Sequence, residues 1–131
     1  MKTVDYFDLF NRKLYEFMDD LIYICPDVER QFTVFKDVLG WAIAADKSYP
    51  SGIFESTVTV PYGDQIKQRD EKFFLKEAYN EYNDMYKSYY TDLNIVEKLK
   101  NVWTTLNDHN KKTVWQYFDV LVELSNRTKA A

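Results

Sequence analysis

The sequence predicts an all-α fold, with about five helices in a compact bundle and one long irregular or extended connection over residues 46–64. Three observations lead there. Apolar residues recur at three- and four-residue steps near both ends of the chain and through its middle, the spacing that places side chains on one side of a helix. Helix breakers are concentrated, since Pro50, Gly52, Pro61 and Gly63 all fall between Asp46 and Asp64. Hydrophobic residues make up 46% and charged residues 29% of 131 residues, enough apolar material for the core of one domain, residues 1–131.

The first helix is expected from about Val4 to Ile24. Phe7, Phe10, Leu14, Phe17, Leu21 and Ile24 form its seam, Thr3 can cap it, and Asp5, Asp8, Arg12, Lys13, Glu16 and Asp19 occupy the other face. Cys25-Pro26-Asp27 breaks the pattern. A second helix carries Val28, Phe32, Phe35, Leu39, Ala42 and Ile43 and ends near Ala45, with Gly40 beside Trp41 permitting a close helix contact.

The connection that follows differs in kind. Ser56-Thr57-Val58-Thr59-Val60 is β-branched with alternating polarity and reads as an extended arm that either binds a partner or packs on its own domain. A central helix is expected over Ile66–Tyr90, capped by Asp64 or starting only at Asp70, with Ile66, Phe73, Phe74, Tyr79, Tyr82, Met85, Tyr86 and Tyr89 mostly on one side. Thr91 or Asp92 opens a fourth helix bearing Ile95, Leu99, Val102, Trp103 and Leu106. After a polar turn, Asn107–Asn110, a fifth carries Val114, Trp115, Phe118, Leu121, Val122 and Leu124, and the short link makes the last two helices antiparallel neighbours.

Charge and composition narrow the function classes. A net charge of -4 with dispersed basic residues argues against nucleic acid as the main ligand, because a phosphate backbone demands clustered Lys and Arg. Cys25 is the only cysteine, so no internal disulfide forms and a reducing compartment fits. The acids in Met1–Phe10 do not suit an export signal, no apolar run is long enough for a membrane span, and the Asn126-Arg127-Thr128 sequon is then a chance match.

Catalytic and cofactor chemistry leave no convincing trace. A chain with three glycines lacks the material for a phosphate cradle, and nothing ties Cys25 to His109, the single histidine. Asp19-Asp20 with Glu16, and Asp70-Glu71, could lend carboxylates to a metal but read as solvated charge, so no metal or cofactor site is assigned. Aromatic residues reach 18%, more ring surface than a small core needs, and the tyrosine stripe Tyr79, Tyr82, Tyr86 and Tyr89 fits either the rim of the bundle core or a protein interface. Tyr82, Tyr86 and Tyr89 on the central helix, and Ile53, Phe54, Val58 and Val60 in the arm, are the candidate contact residues.

Two blocks carry a resemblance. Ile66-Lys67-Gln68-Arg69-Asp70-Glu71-Lys72-Phe73-Phe74-Leu75 resembles an I-x-x-x-D-E-x-F-F-L motif. Val102-Trp103 to Leu106, then Lys112 to Tyr117 and Leu121 to Ser125, resemble a V-W-x-x-L, K-x-V-W-x-Y, L-x-x-L-S ending. Together they are similar to small helical proteins of nucleocytoplasmic large DNA viruses of algae and amoebae. The resemblance implies a non-enzymatic viral structural protein, a minor capsid component of the virion made in the host cytoplasm. Its implied partners are capsid or other viral proteins, or further copies of itself. The alternative is an infection-stage adaptor that binds a host or viral protein through the same aromatic face.

Overall fold

Asp5 begins the first helix: its carboxylate accepts the backbone N–H groups of Phe7 at 3.0 Å and Asp8 at 3.2 Å. The computed structural model describes residues 4–26, 29–71, 95–100 and 102–130. The helices among them are α1 Tyr6–Ile24, α2 Glu29–Ala45, α3 Tyr49–Phe54, α4 Val60–Lys67, α5 Ile95–Lys100 and α6 Asp108–Ala130. A π-helical turn, Glu55–Thr59, joins α3 to α4, and a 3-10 turn, Trp103–Thr105, precedes α6. The described residues contain no strand, as the all-α expectation requires.

The seam of α1 holds from Phe10 to Leu21, with Phe10, Leu14, Phe17 and Leu21 buried and Met18 beside them, whereas Ile24 is only partly buried and Phe7 is half-buried outside the core cluster. α2 returns antiparallel along α1, burying Phe32, Phe35 and Leu39. Lys36 meets Asp19 at 2.5 Å near one end of the pair, and Lys47 meets Asp5 at the other. Gly40 marks the close approach between them, since a Cβ there would stand 3.1 Å from the Tyr15 hydroxyl.

The stretch 46–64 is a correction, because after a short turn at 46–48 it is helical rather than extended. Two local devices make that possible. Ser56 and Thr57 turn their hydroxyls back onto the carbonyls of Gly52, at 3.1 Å, and Ile53, at 2.8 Å, so β-branched and small polar residues are accommodated on a helix. Pro61 has no N–H to give, and its ring crowds the carbonyl one turn back. The turn ahead of it widens instead, the Val60 N–H reaching five residues back to the Glu55 carbonyl. Tertiary packing then decides: Ile53, Phe54, Val58, Tyr62 and Ile66 all enter the core.

The central helix also differs from expectation at its start. Asp64 lies inside α4 rather than capping a new helix, Ile66 and Lys67 are its last turn, and the chain turns away at Gln68–Asp70. Arg69 adopts a left-handed φ of 58°, a conformation that costs a non-glycine residue about 1–2 kcal/mol. Residues 72–90 of that expected helix lie outside the described residues.

The expected fourth helix is divided into α5 and the 3-10 turn, yet Ile95, Leu99, Val102, Trp103 and Leu106 are all buried. The polar turn at 107–110 is instead the cap and first turn of α6, the Asn107 side chain accepting the Asn110 N–H at 2.8 Å. Among the described residues α6 packs most extensively on α1, rather than on the helix before it. The two run antiparallel, with Arg127 against Tyr6 at one end and Tyr117 against Asp20 at the other. The α3–α4 rod also runs antiparallel to α6, through Lys129–Glu55 at 3.1 Å, Thr59–Ser125 at 2.9 Å and Arg69–Asp119 at 2.6 Å.

Candidate functional site

Of the contact residues expected from the sequence, only the arm positions lie among the described residues. Ile53, Phe54 and Val58 are core residues, Val58 being 0% exposed, so three of the four arm positions pack on their own domain and are withdrawn as partner contacts. Val60 alone of that set faces solvent. Tyr82, Tyr86 and Tyr89 lie outside the described residues.

The most elaborate polar arrangement lies where α4 ends against the 3-10 turn and α6. Arg69 forks onto Asp119, with N–O distances of 2.8 and 2.6 Å, and its guanidinium lies 5.7 Å from the Trp115 ring centroid. Glu71 accepts the Trp103 indole N–H at 2.9 Å and the Lys111 ammonium at 3.3 Å, while that ammonium stands 5.4 Å from the Trp103 centroid. The two indoles meet edge to face at 5.2 Å. The Trp103 hydrogen bond, reinforced by Lys111, holds the Glu71 carboxyl below its usual pKa range, and Asp119 raises that of Arg69. Glu71 and Asp119 each face a cation, so the arrangement clamps a turn.

The other expected acid pair is also engaged. Asp19 pairs with Lys36, and Asp20 accepts the Tyr117 hydroxyl. His109 is exposed and Cys25 buried. Among the described residues no group of three or more His, Cys, Asp or Glu could hold a metal ion. A cavity of about 10 Å³, a space of about one water, is lined mainly by the apolar side chains of Leu14, Phe35, Leu39, Pro50, Phe54 and Ile95. No described helix is long and apolar enough to cross a membrane.

Comparison with known proteins gives a short result. No family model, curated protein or solved structure matches this chain. The surface therefore has to be judged on its own chemistry. Among the described residues a prominent feature is the outer face of α2, where Trp41 is 72% exposed although Trp103 and Trp115 are buried. Val34 is exposed on the same side, while Val38 between them is partly buried against the core, the three at the four- and three-residue steps of a second apolar stripe. The sequence carried that signal. Trp41 falls between Leu39 and the Ala42–Ile43 pair, off the core stripe.

Proposed function

We propose that this chain works by binding other proteins, as a non-enzymatic viral structural protein of the minor capsid kind. The observation that carries the protein-binding reading is the outer face of α2. An indole left in water on a helix that has already buried Phe32, Phe35 and Leu39 contributes little to its own domain, whereas tryptophan is enriched among residues that dominate interface energies. The capsid assignment rests on the resemblance of the Ile66–Leu75 and Val102–Ser125 blocks. A rigid helical body with an apolar stripe on one side suits a component that spaces neighbouring subunits.

Two measurements test the two parts. Trp41→Ala should leave the thermal midpoint within about 2 °C of wild type, since the side chain is largely solvated, and should abolish binding to purified capsid shells. Undiminished shell binding by that variant would remove the α2 face from the proposal. Quantitative mass spectrometry of purified particles should find the chain at a fixed, strip-resistant ratio to the shell protein. Its absence from particles would transfer the same face to the adaptor reading.

A further inference from the structure

Helix α4 stops where its sequence supplies no stop. Gln68-Arg69-Asp70-Glu71 contains neither glycine nor proline, and Gln, Arg and Glu favour helix. The ending is nevertheless a Schellman closure. The Asp70 N–H returns to the Gln65 carbonyl at 2.9 Å and the Arg69 N–H to the Ile66 carbonyl at 3.1 Å, with Arg69 in the left-handed position that glycine ordinarily fills. Among the described residues Arg69 is the only non-glycine with positive φ.

What holds Arg69 there is the far end of its own side chain. The guanidinium is forked by Asp119, rests over Trp115 and gives a further hydrogen bond, 3.2 Å long, to the Ile66 carbonyl. Backbone preference and side-chain contacts therefore pull this residue in opposite directions. We propose that Arg69 and Asp119 form a latch between two states of the α4 terminus: the broken helix seen here, and a helix continued through Arg69, Asp70 and Glu71.

The Arg69–Asp119 fork itself opens without unpacking the core. The two side chains are 43% and 46% exposed, so the fork opens directly to water. Glu71 is a second catch on the same side, since its contacts to Trp103 and Lys111 depend on the chain turning at Arg69. Continuing the helix by three residues would turn the exit of the chain by about 300° and carry it about 4.5 Å further along the axis. The latch thus sets the direction in which the chain leaves α4, and a ligand or partner that took Asp119 away from Arg69 would reset it.

Backbone NMR on the whole chain tests this, with the φ-sensitive HN–Hα coupling and the Cα shift of residue 69 as readouts. Wild type should be left-handed at this position. Arg69→Gly should remain so with or without Asp119, because glycine tolerates that conformation unaided. Arg69→Ala should turn right-handed, and Asp119→Ala should lower the left-to-right ratio about tenfold. A folded Arg69→Ala variant that stays left-handed would overturn the proposal, as would a right-handed Arg69 in wild type. Asp119→Asn, which keeps the side-chain volume, answers the same question should Asp119→Ala not fold, and an unchanged ratio there counts against the latch.

Discussion

Tyr117 lies flat on Phe17, ring centroids 4.7 Å apart, and points its hydroxyl at Asp20. Burial, the hydrogen bond to Asp20 and the charges of Asp20, Glu16 and Asp19 all oppose a phenolate, so its pKa stands well above the ordinary 10.0. The folded state therefore keeps this proton after the unfolded chain has begun to lose it. Its contribution to stability is complete below pH 10 and declines as the pH rises above 10 toward the folded value. Urea midpoints measured from pH 8 to 11 for wild type and Tyr117→Phe should keep a constant difference up to about pH 10 and converge above it. A constant difference throughout would show that Tyr117 does not carry the shift. Asp5 acts at the other end of the scale. Its bonds to Lys47 and to the α1 amides lower its pKa, so its stabilising effect is present above the usual carboxylate range and disappears as acid protonates it.

At the scale of the element, the rod from α3 through the π turn to α4 is a core component. Its Phe54 packs edge-on to Phe10 at 5.4 Å and tilted over Phe118 at 6.3 Å, tying three helices together. Phe54→Ala should cost about 3–5 kcal/mol, read as a lower denaturation midpoint with an unchanged slope. If Phe54 belonged to a free arm, the substitution would cost almost nothing. The sequence made α1, α2 and α6 legible because their apolar steps are regular and the resulting faces are buried. It misrepresented 46–64 because β-branched residues and two prolines state a local preference that burial of Ile53, Val58 and Tyr62 overrides. Local signals also missed the end of α4, since the residue that stops it is an arginine anchored on Asp119, fifty positions away. The α2 stripe could be read in the sequence only as apolar, its exposure being decided by which face the other helices cover.

In the whole molecule α6 is the wall that α1 and the α3–α4 rod share, and both run antiparallel to it. A chain ending at Asn107 would expose Phe10, Phe17, Phe54 and Val58 together. It should show no cooperative thermal transition by circular dichroism, and a sharp transition would mean that the α1–α2 hairpin and the rod close a core without α6. The same arrangement has a kinetic side. Asp20 and Tyr117 meet across 97 residues of chain. At translation rates of about 5–20 residues per second, the apolar seam of α1 waits about 5–20 s on the ribosome before its covering helix has been made. α2 can shelter one flank in the meantime; the other is, for those seconds, a natural substrate for a chaperone.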